Sequence, residues 1–431
     1  MRTSAAFAAL VPWSMQEAAA RGENGTRQDA RMLDVFPVSA RLENDALVLG
    51  GVPAAELADR FGTPLVVYCE ETLREQARSL VAAVDRGGRV FYGTKAFANV
   101  AVLRLLREEG VGADVASEGE LAFARAAGLG GGELVVHGNN KSEELLRAAA
   151  ADGAPVVLDA PDEAELATAA GVERALVRVT LGVDADTHEA VVTGHHGSKF
   201  GLPPDEARTL IADALERGLD VLGLHVHVGS QLPDFSAQAE TIQRLAAFAA
   251  SCRDALGWEA RVADLGGGFG IRHRPEDDVP EAADLAAAAV VSARAAFVSV
   301  GLPEPMVWLE PGRSLVGRAG VTLYRVGAVK RLPDRTWAAV DGGMSDNPRP
   351  QLYDARYTAL SATRADEEAS ETISVAGMHC ESGDVLIDDV ELPPPARGDL
   401  LAIPATGAYT LAMSSNYNGV GRPAALLVCD G

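Results

Sequence analysis

The sequence predicts an α/β chain, a (β/α)8 barrel followed by a C-terminal all-β domain. Three observations carry that expectation. From about residue 62, short β-branched or aromatic runs alternate with amphipathic stretches. The alternation repeats eight times over roughly 220 residues, the span of one such barrel. After Gly312 the β runs continue without helices between them.

The eight strand candidates are 90–94, 112–116, 134–137, 156–159, 176–181, 222–228, 262–265 and 307–310. Helical patterns fill the gaps at 99–109, 118–127, 142–150, 162–170, 204–217, 236–256 and 281–300, with Asn99 as an N-cap and Gly110 as a stop. Strands separated by helices run parallel. A TIM barrel carries its catalytic groups at the C-terminal strand ends. Here those ends hold Lys95, Asp114, Ser117, His137, Asp159, Arg178, His225, His227, Gly266 to Gly268, Glu310 and Arg313. A doubly wound sheet lacks its dinucleotide loop, because Ile271 stands where G-x-G-x-x-G needs its third glycine.

Beyond the barrel, β runs at 321–329, 337–340, 372–376, 399–403 and 424–428 predict the second domain, and the run 46–51 is expected to join its sheet. The domain expectation is therefore an irregular N-terminal extension at 1–32, a strand segment joining the β domain at 33–61, the barrel at 62–312 and the β domain at 313–431.

Composition narrows the functional classes. The 431 residues are 48% hydrophobic and 23% charged, and glycine and proline never run consecutively over a tract, which excludes collagen-like, coiled-coil and low-complexity chains. A net charge of −23 repels nucleic acid and anionic membrane surfaces alike. No uninterrupted apolar run approaches the roughly 18 residues of a membrane span. The four cysteines are scattered, without a zinc pair or a disulfide scaffold, and fit a reducing cytoplasm. Residues 5–11 are apolar but soon give way to the polar run 21–31, which reads as a frayed terminus rather than a signal segment.

Several motifs carry chemistry. Lys95 is one of only four lysines and ends the first barrel strand among aromatic and small residues. Burial lowers a lysine pKa and frees the amine as a Schiff-base nucleophile; a lysine pointing to water is the plain alternative. Gly266, Gly267 and Gly268 follow the seventh strand, where barrels build phosphate sites from bare backbone N–H groups, unless the run is an ordinary loop. Glu310 and Arg313, with Gly312 between them, end the eighth strand; a carboxylate there can hold a pyridine nitrogen protonated, or simply pair with the arginine. His225 and His227 share a strand face, offering a zinc pair, a ring that stacks on a planar cofactor, or core histidines. Cys380 beside Glu381 suits proton delivery, or is a small buried hydrophobe. Arg349 and Tyr353 suit a carboxylate, or lie on a surface turn.

Together, YGTKAF, DVASEGEL, HGNNKS, DTHEAVVTGHHGSKFG, HVHVGSQ, DLGGGFGI, EPGRSLVG, VDGGMSDNPRPQLYDARY, HCESGDVL and TGAYTLAMSSNYN resemble, in order, the diaminopimelate decarboxylase family. That family belongs to the fold-type III pyridoxal-phosphate enzymes of the alanine racemase and ornithine decarboxylase group. The resemblance runs from about Leu33 to the C-terminus, with departures at Thr94, Phe97 and His196-Gly197.

The resemblance implies pyridoxal 5'-phosphate held by Lys95, with His227 stacked on its ring. It implies that Gly266, Gly267, Gly268, Glu310, Gly312 and Arg313 bind the cofactor's phosphate and pyridine, with Ser230 and Tyr409 beside them. Arg313, Arg349, Tyr353, Glu381 and Tyr409 match substrate-binding positions, and Cys380 is the expected proton donor, supplied by the partner in a homodimer with shared active sites. No metal is implied. The expected reaction turns meso-2,6-diaminopimelate into L-lysine and carbon dioxide. The alternative is a relative acting on ornithine, lysine or carboxynorspermidine. Racemases of this fold place an arginine where Glu310 stands, so the carboxylate favours decarboxylation.

Overall fold

The computed structural model describes residues 31–429 apart from 86, 184–197 and 233. The N-terminal extension up to residue 30 and the His196-Gly197 departure lie outside the described residues.

The chain opens with β1 (Arg41–Glu43), β2 (Ala46–Leu49) and β3 (Val52–Pro53), which form a three-stranded antiparallel sheet of their own. The sequence reading had the run 46–51 joining the β-domain sheet, and the turns explain the difference. Asn44 and Asp45 both adopt positive φ, as do Gly50 and Gly51. Such two-residue turns close tight hairpins, so β2 finds a local partner on each side. It still leans on the β domain: the Leu47 N–H donates to the Ala362 carbonyl at 2.9 Å, and Leu47 and Leu49 pack with Val321, Leu323 and Leu400.

A second difference follows at β4 (Leu65–Cys69). It falls inside the stretch expected to be barrel, yet it pairs with β-domain strands, while the helix after it, Glu70–Ala83, packs on the barrel beside helix Ala282–Ser299. A β-α pattern specifies a strand and a helix but not which sheet takes the strand.

The barrel itself is β5 (Arg89–Gly93), β6 (Gly112–Val115), β7 (Leu134–Val136), β8 (Val156–Leu158), β9 (Arg174–Arg178), β10 (Asp220–His225), β11 (Val262–Asp264) and β12 (Met306–Leu309). All neighbours are parallel, and β12 closes on β5 through Trp308 opposite Arg89 and Leu309 opposite Val90. Three helices between the strands begin on side-chain caps. Asn99 accepts from the Ala101 and Val102 amides, Ser117 from Glu120, and Ser142 from Leu145. Helix Ala282–Ser299 is long and apolar enough to cross a membrane, with a mean hydropathy of 1.4. Asp284 and Arg294 interrupt its run, and Leu285, Ala289, Val290, Ala293 and Phe297 are buried in the barrel core, as befits a core helix.

The β domain is organised by β13 (Gly320–Arg331), whose first half pairs with β4 and with β18 (Leu400–Ile403) and whose second half pairs with β14 (Thr336–Val340). After helix Arg349–Tyr353, β15 (Leu360–Ser361), β16 (Glu371–Ala376) and β17 (Val385–Leu392) complete that sheet, and β19 (Ala424–Val428) returns to lie parallel to β4. The short β15 and the mixed VLIDDVEL of β17 were not among the strands read from the sequence.

One buried ion pair braces the barrel rim. Lys141 has no exposed side-chain surface and donates to both carboxylate oxygens of Glu163 at 2.8 and 2.9 Å. Removing one partner of such a pair strands the other charge at a cost of about 3–5 kcal/mol, whereas replacing both with apolar groups is far milder. Lys141→Met should therefore destabilise the fold by about that amount in chemical denaturation, and Lys141→Met with Glu163→Leu should recover most of the loss. A single variant costing under about 1 kcal/mol would show that the pair is not a brace.

Candidate active site

Parallel strands closed into a barrel end on one rim, so the polar residues at their C-terminal ends converge. The strand-end ring runs from Lys95 after β5 through Asp114, His137, Asp159, Arg178, His225 and Asp264 to Glu310 after β12. Above it opens a cavity of about 580 Å3, within the range that holds a small cofactor and substrate. Lys95, His227, Ser230, Gly268 and Glu310 line it, as do Gly312, Arg313, Arg349, Tyr353 and Tyr409. The structure thus gathers around one cavity ten of the fourteen site residues read from the sequence.

Lys95 sits in a 3-10 turn, Thr94–Ala96, pinned from three sides. The Thr94 hydroxyl donates to the Asp114 carbonyl at 2.7 Å, the Tyr92 hydroxyl to Phe97 at 3.0 Å, and the Tyr409 amide to Ala96 at 2.9 Å. The lysine is among the residues that line the cavity. Its charge state corrects the sequence expectation: burial does pull its pKa down, but Tyr409, Asp114 and Glu310 outweigh burial and the opposing Arg178, so the pKa is raised. In this state the amine is an ammonium, and an incoming group must displace its proton.

On the floor, Glu310 lies 2.5 Å from His137 Nε2 and 3.1 Å from His225 Nε2. Nδ1 of His227 accepts instead from the Gly267 amide at 3.3 Å. The two histidines of HVHVGSQ therefore have different partners and form no zinc pair. His137, His225, Asp264 and Glu310 do place ligand atoms within 4.8 Å of one another, but Nε2 of both histidines faces Glu310 and Asp264 Oδ1 takes the Gly266 amide at 3.0 Å, while His225 Nδ1 and Asp264 Oδ2 have no partner among the described residues.

The glycine loop is bare for a reason. Gly266 has φ +65°, and a Cβ there would lie 2.6 Å from His227 Nδ1; a Cβ on Gly267 would run into the Glu310 carbonyl. The main chain packs directly on His227 and Glu310 there because no side chain fits, and Gly268 of the same run lines the cavity.

At the opposite wall stand two buried arginines. Arg313 lies 4.8 Å over the Tyr409 ring and donates to the Ser230 hydroxyl at 3.2 Å, while its Nε and Nη1 have no hydrogen-bond partner among the described residues. Burial, then the like charge of Arg349, lowers its pKa to about 10. Arg349 Nη1 donates to the Tyr357 hydroxyl at 2.5 Å and meets His273 Nε2 at 3.1 Å. Unpaired, buried guanidinium N–H groups are a demand for anions. With Lys95, the bare glycine loop and a cavity of this size, the residues present fit pyridoxal phosphate.

Cys380 and Glu381 are different. Both are exposed, neither lines the cavity, and Glu381 accepts from the Tyr417 hydroxyl. One chain does not bring them to Lys95. The sequence reading also missed His273, Arg274, Asp277 and Asp278, which line the cavity from the loop after the glycines, and Phe200, whose ring lies 4.7 Å from the Arg178 guanidinium. The charged run RHRPEDD directly after GGGFGI was the available signal.

Comparison with known proteins agrees with this geometry. Residues 70–317 match the family described as pyridoxal-dependent decarboxylase, pyridoxal binding domain. The chain is 45% identical to diaminopimelate decarboxylase of Actinosynnema pretiosum subsp. auranticum, covering 94% of this chain and 93% of that one. It is 41% identical to the Bacillus subtilis enzyme of the same name, over 91% and 92%. Among solved structures, diaminopimelate decarboxylase from M. jannaschii in complex with L-lysine superposes with a TM-score of 0.84 at 33% identity, covering 91% of this chain and 93% of that one. The chain belongs to the pyridoxal-dependent decarboxylases, in their diaminopimelate decarboxylase branch.

Proposed function

We propose that this protein decarboxylates meso-2,6-diaminopimelate to L-lysine and carbon dioxide, with pyridoxal phosphate held by Lys95. The observation that carries this reading is the pair of buried arginines with spare N–H groups in the cavity that Lys95 enters. Bound there, pyridoxal phosphate supplies the electron sink for cleavage of the bond between Cα and its carboxylate. Gly266, Gly267, Gly268, Gly312, Ser230, Arg313 and Tyr409 are assigned to the phosphate end, His227 to the face of the ring and Glu310 to its nitrogen. Arg349 and Tyr353, with Arg313 and Tyr409, are assigned to the substrate.

The remaining roles need a second copy of the chain. Cys380 stands outward with Glu381 among exposed Met378 and Tyr417, and Gln351 ties the helix bearing exposed Leu352 to Gly383 at 3.0 Å. Exposed apolar residues around a reactive thiol fit a homodimer in which Cys380 delivers the proton and Glu381 reads the distal amine in the partner's cavity. Cys252, Cys380 and Cys429 are free thiols, which suits a cytoplasmic enzyme.

Purified protein should be yellow, and borohydride should fix the pyridoxyl label on the Lys95 peptide. Label on Lys141, Lys199 or Lys330, or a colourless protein that takes up no pyridoxal phosphate, would refute the assignment.

Cys380→Ala should keep the cofactor and lose turnover by roughly 10²–10⁴, as for a missing general acid. Mixing it with Lys95→Ala should restore part of the activity, because each heterodimer holds one intact site. Demonstrated subunit exchange without rescue would exclude a shared site.

Arg349→Leu removes the proposed partner of the distal carboxylate, a charge-assisted bond worth on the order of 1.5–3 kcal/mol. Carbon dioxide release from meso-diaminopimelate should fall about tenfold to two-hundredfold, while the slower release from lysine or ornithine stays nearly unchanged. Equal losses on all three would leave only a generic decarboxylase.

A further inference from the structure

Glu310 is held by more than its own strand. It is buried, with Oε1 at 2.5 Å from His137 Nε2 and Oε2 at 3.1 Å from His225 Nε2. The two rings meet edge-on with centroids 4.9 Å apart. Asp114 Oδ1 lies 3.9 Å from His137 Nε2, and Asp264 is fully buried beside them. Lys95 and Arg178 are the cations that face this group from β5 and β9. Three carboxyl groups in one dry volume cannot all be anions without compensation.

The two imidazoles answer this in different ways. Burial, aided by the positive neighbours His137 and Arg178 and only partly offset by Glu310, drives His225 down to about 4, so it is neutral. A neutral ring that meets a carboxylate through Nε2 carries its proton there, and Nδ1 is left without a partner among the described residues. Burial also opposes the charge on His137, but Glu310 and Asp114 outweigh it and raise its pKa. Burial pushes Asp264 up, reinforced by the charge of Glu310. Against its own burial, Glu310 is held well down by His137 and His225.

We propose that His137 is the positioning residue of Glu310: its Nε2 fixes one carboxylate oxygen and supplies the positive charge that keeps Glu310 an anion at the cavity floor. His225 contributes only an N–H. Without His137, Glu310 would share a dry site with Asp114 and Asp264 and would take up a proton, losing its ability to stabilise a pyridinium. The inference rests on the cofactor role proposed above.

The test uses the full chain as wild type, His137→Phe and His137→Gln, with pyridoxal phosphate as the probe. Cofactor affinity and the pH at which the bound pyridinium loses its proton are read from absorbance, and thermal melting checks the fold. An anionic partner raises a pyridinium pKa, so its loss lowers it. His137→Phe should bind at least about tenfold more weakly and shift the midpoint down by about one unit or more. His137→Gln keeps an N–H but no charge, and should regain affinity while keeping the lowered midpoint. A folded His137→Phe with wild-type affinity and midpoint overturns the inference. If that variant does not fold, His137→Gln decides, a lowered midpoint supporting the inference and a wild-type midpoint overturning it. A wild-type chain that binds no pyridoxal phosphate defeats the cofactor reading itself and this inference with it.

Discussion

The closure of β12 on β5 is the constraint on which the site depends. It joins residues more than two hundred positions apart in sequence, with the Gly93 amide donating to the Pro311 carbonyl at 3.2 Å. That single seam sets Lys95, one turn beyond β5, against Glu310 and Gly312, one turn beyond β12. Packing is tight on one side of it: a Cβ on Gly312 would lie 3.0 Å from the Tyr409 hydroxyl and 3.2 Å from the Gly93 carbonyl. Because Tyr409 comes from the β domain and its amide bonds to Ala96, the seam also registers the second domain on the first. A slip of β12 against β5 would move the lysine, the carboxylate and the tyrosine apart together.

Charge is sorted within the cavity with similar economy. The protein as a whole is strongly acidic, with a net charge of −23, yet its wall carries two buried arginines and its floor carries acids matched by imidazoles. The wall therefore attracts anionic ends of a ligand, and the floor offers one carboxylate whose charge is protected by neighbours. Dry, fixed charges of this kind act more strongly than the same groups in water. They also carry a cost, visible in the lowered pKa of Arg313 and the raised pKa of Asp264.

Much of this was legible in the sequence because barrel topology turns a one-dimensional fact, which residue ends a strand, into a three-dimensional one. Lys95, Asp114, His137, Asp159, Arg178 and Glu310 could all be placed on one rim from strand ends alone. What escaped was whatever depended on partners distant in sequence. The Leu65–Cys69 strand falls within the stretch expected to be barrel and is taken by another sheet, and the two-residue turns at Asn44-Asp45 and Gly50-Gly51 outcompete that sheet for the run 46–51. The charge on Lys95 escaped for the same reason, since a local reading sees its burial but not Tyr409, Asp114 and Glu310 around it. The loop carrying His273 lacked any periodic signal.

The Cys380 segment is the most demanding case, because its local structure is firm while the thiol does not line the cavity of its own chain. Asp384 accepts from the Met344 amide at 2.7 Å and the His379 amide at 2.9 Å, and Gly377 and Gly343 have no room for a side chain beside that carboxylate. His379 adds contacts to the Ser345 hydroxyl at 2.8 Å and to Asn418 Oδ1 at 3.0 Å. The thiol is thus presented from a loop bolted at several points, which limits the motion by which it could fold back toward Lys95. Holding an outward residue in one place is useful only to a receiving surface that arrives already shaped, and a second copy of the same chain, with its cavity walled by Arg313 and Arg349, is the surface the proposed function calls for.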